Sequence, residues 1–285
     1  MIHIISTRVV LAALFTLTNM LFVTQILAAD SKVDYQIQGA VYEWYGRLDL
    51  PSEPALVLDK SASKIALLSN QGAHHLMSID ILAMHKPYVE IEVELEFLPK
   101  PDQVGQEIVG RYIIQKLFIN PQTAQVTQSE IVKNEVDSFT SKYRPSSNAN
   151  LIRSFVYKWT RSLDRSSESK SADKLLLNAF ALNTPFLSEE SNDSVTGYLA
   201  QLAKLDSINS HRAIKYLKIT PTAEPNSFAV EYQYKWNLIN KDNEPELAQI
   251  AVDIQLVVKD GRVFVQHYKA KYLPPVTDLG AEIRC

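Results

Sequence analysis

Val41-Tyr42-Glu43-Trp44-Tyr45-Gly46-Arg47-Leu48-Asp49 returns 115 residues later as Val156-Tyr157-Lys158-Trp159-Thr160-Arg161-Ser162-Leu163-Asp164. Val, Tyr, Trp, Leu and Asp recur at identical spacing, so the chain is read as one domain built twice. Working outward, Val33, Ile37, Val41, Trp44 and Leu48 fall at steps of four, four, three and four. That is an apolar stripe on one helical face, started by Asp30 or Ser31 and stopped before Pro51. Ile152, Phe155, Val156, Trp159 and Leu163 repeat the stripe. A helix whose stripe carries indole rings suits a broad surface such as a sheet.

The strands follow in each copy. Tyr88 to Leu98 alternates Val89, Ile91, Val93, Leu95 and Phe97 with Glu90, Glu92, Glu94 and Glu96, the period of a strand with one apolar and one polar face. Its counterpart runs from Phe228 to Leu238. There Phe228, Val230, Tyr232, Tyr234, Trp236 and Leu238 share one face, and Glu231, Gln233, Lys235 and Asn237 the other. The glutamate row is read as a solvated outer face beside Arg111 and Lys116, because carboxylates along one strand converge poorly on a hard cation. Residues 111–119 and 124–133 form a hairpin around Asn120-Pro121-Gln122-Thr123. Residues 247–258 and 263–273 form another around Asp260-Gly261, a pair suited to a tight hairpin turn. Between helix and strands, Pro54 to Asn70 reads as short helical pieces and Gln71 to Ile81 as a loop running into a strand, with His74 and His75 as loop-end histidines. Arg161 to Lys174 reads as a polar bridge, and Leu175 to Phe186 and Ser194 to Leu205 as helices.

The divisions expected are a signal peptide at 1–29, a first domain at 30–133, a linker at 134–150, a second domain at 151–273 and a tail at 274–285. Arg8 followed by a mostly apolar run to Ala28-Ala29 has the order of a secretory signal. An uncleaved anchor is the alternative, since the run is long enough to span a membrane. The only cysteine is Cys285, so no intrachain disulfide forms. An exported chain held by its cores alone suits a bacterial periplasm or secretion from bacteria. A net charge of −3 gives no footing for nucleic acid. No zinc spacing, nucleophile elbow or phosphate-cradling glycine loop is present, and no metal or cofactor is expected.

Helices, a histidine-bearing passage, then long antiparallel strands is an α+β order. On the Val41–Asp49 and Val156–Asp164 helices and on Ser210-His211 to Ile219 followed by Phe228 to Leu238, the chain resembles the nuclear-transport-factor-2-like superfamily, which includes ketosteroid isomerase and the SnoaL-type cyclases. The resemblance implies two tandem cone domains, each with N-terminal helices on a bent antiparallel sheet around a pocket. It also implies sheet faces that commonly pair two such domains, so an intrachain pseudo-dimer is one expectation, set against the polar outer faces.

Enzymes of this superfamily use an Asp or His base with Tyr or Asp hydrogen-bond donors inside the cone, which requires a buried titratable group with a perturbed pKa. The catalytic candidates are His211, Asp253 and Tyr157, and the binding candidates are Tyr157, His211, Tyr232, Tyr234, Trp236, Tyr42 and His75. His267, Tyr45, His74 and Asp80 are further members of the set. Asp253 interrupts the apolar run from Ile250 to Val258 but lies on the face opposite Ile250, Val252, Ile254 and Leu256, so a solvent-facing place is as open to it as an inward one. No Asp/His pair holds matched positions in both copies. The expectation is therefore an exported, non-catalytic binding or accessory protein whose partner is a small apolar ligand or another protein. The alternatives are a ketosteroid-isomerase-like or cyclase-like enzyme using general acid–base chemistry on a small hydrophobic substrate, and, with the signal uncleaved, a membrane-anchored part of an envelope assembly.

Overall fold

A computed structural model describes residues 35–50, 72–85, 87–168, 170, 174–180, 184, 186–187 and 194–274. The signal segment, the helical pieces expected at Pro54–Asn70 and Cys285 lie outside the described residues. The architecture is α+β and falls into two units, each a helix laid on an antiparallel sheet.

In the first unit a helix over residues 35–48, α1, precedes four strands, β1 (Gly72–His85), β2 (Tyr88–Pro99), β3 (Glu107–Asn120) and β4 (Gln125–Lys142), paired in chain order. Ile37, Val41, Trp44 and Leu48 of α1 pack on Val89, Ile91, Val93 and Leu95 of β2 and on Ile113 and Leu117 of β3. The four-residue steps on the helix and the two-residue steps on the strands thus meet in one core. Register shifts at Leu76/Ser78 and Ile81/Ala83 in β1, and three more between β3 and β4, bend the sheet around the helix.

The second unit opens with α2 (Ser147–Ser167) and a four-residue α3 (Lys174–Leu177). β5 (Phe186–Leu187) and α4 (Val195–Leu205) lead into β6 (Asn209–Pro221), β7 (Ser227–Ile239), β8 (Pro245–Lys259) and β9 (Arg262–Tyr272). The sheet order is β5-β9-β8-β7-β6, with the short β5 parallel to β9. Phe155, Trp159, Phe180 and Tyr268 form an aromatic cluster beneath α2. Asp260 and Gly261 both adopt positive φ, 49° and 69°, which is the geometry a two-residue hairpin needs. Ser194 accepts a hydrogen bond from Gly197 N at 3.1 Å and caps α4.

Four expectations are corrected. Residues 161–167, read as the start of a polar bridge, continue α2, where Ser162, Ser166 and Ser167 are buried and Ser166 and Ser167 bond back to helix carbonyls. The strand of the first histidine passage begins at Gly72, so His74 and His75 are strand residues and not loop ends. The stretch 134–150 is β4 as far as Lys142 and α2 from Ser147. Its polar composition belongs to an exposed edge strand, whose outward residues need no aliphatics. Within residues 175–186 the described helix ends at Leu177 and Phe180 bridges to Val265, where its ring packs beside Trp159.

The units meet through their first helices. Tyr42 of α1 stacks on Tyr157 of α2, and Lys158 donates to the Glu43 carboxylate. Both pairs join residues that occupy equivalent places in the repeat. Gly39 and Gly46 let the helices close: a Cβ at Gly46 would lie 2.8 Å from Leu151 Cγ, and one at Gly39 2.8 Å from Lys158 Cγ. At the helix starts, Tyr35 Oη accepts Ile214 N of the edge strand β6 at 2.5 Å, while Asn150 Nδ2 donates to the His74 carbonyl of the edge strand β1 at 2.9 Å. Tyr35 and Asn150 also stand 115 residues apart. Each helix start therefore tends the edge of the other unit's sheet.

Candidate functional site

Asp49 ends α1, and both its carboxylate oxygens are engaged. His74 Nδ1 bonds Oδ1 at 2.5 Å, and Oδ2 accepts the His74 backbone N–H at 3.0 Å and the Ser146 hydroxyl at 2.5 Å. The imidazole is fully buried, between Tyr45 and Phe97. His74 Nε2 has no hydrogen-bond partner among the described residues, and neither have Trp44 Nε1 and Gln115 Nε2. The Gln115 carbonyl accepts the buried Tyr45 hydroxyl at 2.8 Å. The first cone thus holds an Asp–His dyad and amide, indole and phenol groups in an apolar surround, the residue types from which general acid–base sites are built.

Asp164 is the equivalent residue at the end of α2, and its partner differs. Arg212 donates its backbone N–H to Oδ2 at 3.1 Å and Nη1 to Oδ1 at 2.8 Å, and Ser210 Oγ donates to Oδ1 at 3.1 Å. Arg212 is fully buried and lies 4.2 Å over the Trp236 ring, a cation–π contact. Trp236 Nε1 completes the network through Ser210 Oγ at 2.9 Å. Burial pushes the Asp164 carboxyl up against the pull of Arg212, whereas burial opposes the Arg212 charge and Tyr234 and Asp164 hold it. A guanidinium does not exchange protons near neutral pH, so the second cone carries a fixed charge where the first carries an imidazole.

The sequence candidates distribute as follows. Tyr232, Tyr234 and Trp236 point into the second core and fill it together with Tyr198 and Tyr268. Burial, and then Tyr268 beside it, lifts the Tyr232 phenol well above its usual range. Asp253 is exposed, in register between Glu231 and Lys269 on the outer face, and is remote from the cone interior. Tyr157 lies between the helices, within 5.3 Å of Tyr35 and 5.7 Å of Tyr42 by ring centroids. His211 is half-buried, 5.9 Å from Tyr35 and 4.0 Å from Asp164 Oδ2, on the far side of the strand from the cone. His75 Nε2 bonds the Arg144 carbonyl at 3.0 Å; burial and the Arg144 charge lower its pKa. The structure therefore gathers Tyr42, Tyr157 and His211 near the junction and leaves Asp253 and His75 apart from them. Sequence reasoning named His74 but not its pairing with Asp49, and it missed Arg212 and Gln115. The recurring Asp49/Asp164 pair was the available signal, but its partners change type between copies, so matching copy to copy could not expose them.

Open clefts among the described residues lie elsewhere. One, of ≈ 470 Å³, runs between α1, α2 and the β8–β9 turn, with Leu151, Phe155, Val263 and Phe264 as walls and Glu43, Arg47 and Lys158 along its rim. Burial raises the Glu43 carboxyl, but Lys158 and Arg47 outweigh it and hold it below the usual range. Another, of ≈ 650 Å³, is a hollow on the outer face of the first sheet. Among the described residues no group of three or more His, Cys, Asp or Glu could hold a metal ion, and no helix is long and apolar enough to cross a membrane.

No family model matches the chain, and no curated protein matches it. Solved structures similar to it include a nuclear transport factor 2-like superfamily protein from Salmonella enterica, with 11% identity over 48% of this chain and 97% of that one at a TM-score of 0.36. A putative calcium/calmodulin-dependent protein kinase II association domain from Xanthomonas campestris shows 15% identity over 45% of this chain and 89% of that one, TM-score 0.37. A hexachlorocyclohexane dehydrochlorinase from Novosphingobium barchaimii shows 9% identity over 45% and 88%, TM-score 0.37. Each spans about half of this chain.

Proposed function

We propose that the chain is an exported, non-catalytic binding or accessory protein in which two cone domains act as a scaffold and the cleft along their helix junction takes a small amphiphilic ligand. The observation that carries this reading is Arg212. Against Asp164 it holds the place that His74 holds against Asp49, with a permanent cation, inside a cone already filled by Tyr232, Tyr234, Tyr268 and Trp236. The Asp49–His74 pair reads in the same way, as a clamp tying the end of α1 to β1 and to Ser146 before α2. The helix-junction cleft supports the binding half of the proposal: ≈ 470 Å³ falls in the range of small-molecule sites, roughly 300–1,000 Å³, with apolar walls and a charged rim. Export rests on the Arg8-to-Ala29 signal pattern.

Native mass spectrometry of the protein purified from its own host tests this. The expected result is a chain cleaved near Ala29 carrying a reproducible small-molecule adduct, kept in His74→Gln and lost in Phe155→Asp. An uncleaved chain would return the anchored alternative. A cleaved chain whose adduct survives Phe155→Asp would place binding elsewhere.

A second reading has one specific observation in its favour. His74 Nε2, Gln115 Nε2 and Trp44 Nε1 are buried without partners among the described residues, as an acid–base site awaiting a substrate would have them. On this reading the base lies in the first unit, not at His211 or Asp253. Turnover of a small hydrophobic ketone or alcohol that vanishes in His74→Gln and Asp49→Asn would establish it.

A further inference from the structure

The helix junction is built from equivalent places of the repeat, yet its two sides differ. On the first unit's side, Gln36 of α1 donates its side-chain amide to the Pro121 carbonyl in the β3–β4 turn at 3.1 Å and ties helix to turn. The residue 115 positions on is Leu151, which has no side-chain donor, and there the β8–β9 turn of the second unit stands across the ≈ 470 Å³ cleft. Ala40 is answered in the same way by Phe155. A polar latch and a small residue on one side are thus replaced by apolar wall on the other, and Leu176, Val263 and Phe264 extend that wall. The charges along the cleft are unequal too. Glu43, Arg47, Lys158 and Arg262 line it, three cations against one carboxylate, in a chain whose net charge is −3. Glu43 Oε1 accepts from Arg47 Nε and Nη2 at 3.0 and 2.9 Å, and Oε2 accepts from Lys158. Both oxygens of the one carboxylate are therefore engaged, and Arg262, exposed on the turn, adds a further positive charge.

Resting on the reading of this cleft as the binding site, we propose that its ligand is a single-chain alkyl carboxylate, a fatty acid. The tail lies along Leu151, Phe155, Val263 and Phe264, and the carboxylate meets the Arg262 end of the rim. An anionic head offsets the positive charge that Glu43 leaves over, and a guanidinium matches a carboxylate with paired, charge-assisted hydrogen bonds. A cationic head is repelled by the same rim, and a neutral one gains nothing from it. The cleft falls in the lower half of the range of small-molecule sites, roughly 300–1,000 Å³, which suits one alkyl chain and not the two chains of a bilayer lipid. The four-residue apolar steps of α2 that elsewhere fill the second core here leave Leu151 and Phe155 beside the cleft as well, so the tail would continue the hydrophobic surface of the core toward the rim.

Isothermal titration calorimetry of the full chain, stripped of lipid, tests the proposal with three probes of one tail length: decanoate, decyltrimethylammonium and decyl maltoside, each below its micelle threshold. The expected result is one decanoate bound per chain, no binding of decyltrimethylammonium, and decyl maltoside at least about tenfold weaker than decanoate, the worth of one charge-assisted hydrogen bond. Arg262→Gln weakens decanoate by about the same factor. Phe264→Asp abolishes its binding; that side chain is 40% exposed, so the change falls on the cleft and not on the core. Where Phe264→Asp loses the far-ultraviolet spectrum of the unaltered chain, Phe264→Ser replaces it and weakens binding. If all three probes bind alike and Phe264→Asp abolishes them all, or if Arg262→Gln leaves decanoate unmoved, the cleft stands as a binding site and the fatty acid proposal falls. Decanoate binding that neither Phe264 variant changes puts the ligand outside the cleft, and an absence of binding by every probe leaves the cleft without an amphiphile. Either of those results overturns the proposal together with the reading on which it rests.

Discussion

Tyr42 and Tyr157 stack face to face, ring centroids 5.7 Å apart and planes within 6°, and they are the same residue of the repeat, 115 positions apart. Glu43 and Lys158, the next residues on, form an ion pair across the same line. Contacts between equivalent positions are what a two-fold relation between the helices produces. Tyr42→Ala and Tyr157→Ala should each destabilise the chain, and the double variant by less than the sum. An aromatic pair contributes about 0.5–1.5 kcal/mol beyond its burial, and a urea-denaturation double-mutant cycle reads that coupling directly.

The helix junction depends on two glycines of unequal tolerance. At Gly46 an added Cβ meets both the side chain and the backbone nitrogen of Leu151, at 2.8 and 3.1 Å, whereas at Gly39 it meets mainly the flexible Lys158 stem. Alanine raises helix propensity by about 1 kcal/mol at either site. Gly46→Ala should nonetheless lower stability by roughly 1–3 kcal/mol through overpacking, and Gly39→Ala should come out near neutral. Denaturation midpoints of the two variants separate these outcomes.

Glu43 titrates below its ordinary range when folded, because Lys158 and Arg47 outweigh its desolvation. A depressed folded pKa means that the unfolded chain binds the proton first. The pair's contribution is therefore present above the unfolded value, about 4.3, and is lost as pH falls through the folded one. Urea midpoints measured from pH 6 to pH 3 should fall less steeply for Glu43→Gln than for the unaltered chain. The difference is small, roughly 0.2–1 kcal/mol, since both side chains are partly solvated.

Arg212 and Asp164 stand or fall together. Arg212→Met leaves a buried carboxylate without its cation and should cost about 3–5 kcal/mol. The joint change Arg212→Met with Asp164→Leu removes both charges and should cost clearly less. If Arg212→Met alone is nearly neutral by chemical denaturation, the network is not the anchor described.

How much of this was legible beforehand follows from the chemistry of each signal. The outer and inner faces of β2 and β7 were plain, because Val89 to Phe97 and Phe228 to Leu238 alternate with polar residues and burial enforces a period of two. The Asp260–Gly261 turn was equally plain, since its backbone demands residues tolerant of positive φ. β4 was cut short at Lys133 because residues beyond it, from Asn134 to Lys142, lie on an exposed edge where polar side chains cost nothing. The Asp49–His74 and Asp164–Arg212 pairs stayed hidden for another reason. Long-range pairs leave no periodicity, and imidazole and guanidinium do not look alike in a sequence even where they hold the same place. Likewise the stacking of Tyr42 on Tyr157 follows from how two helices meet, which no spacing within either copy encodes.

The reading of two repeats joined helix to helix into one scaffold, with a binding cleft along the joint, is tested most directly by differential scanning calorimetry of the whole chain. A single transition is expected, with calorimetric and van't Hoff enthalpies equal, splitting into two when Tyr42→Ala, Glu43→Ala and Tyr157→Ala are combined. Two separate transitions in the unaltered chain, left unmoved by those substitutions, would show that the helix junction does not join the units and would contradict the account.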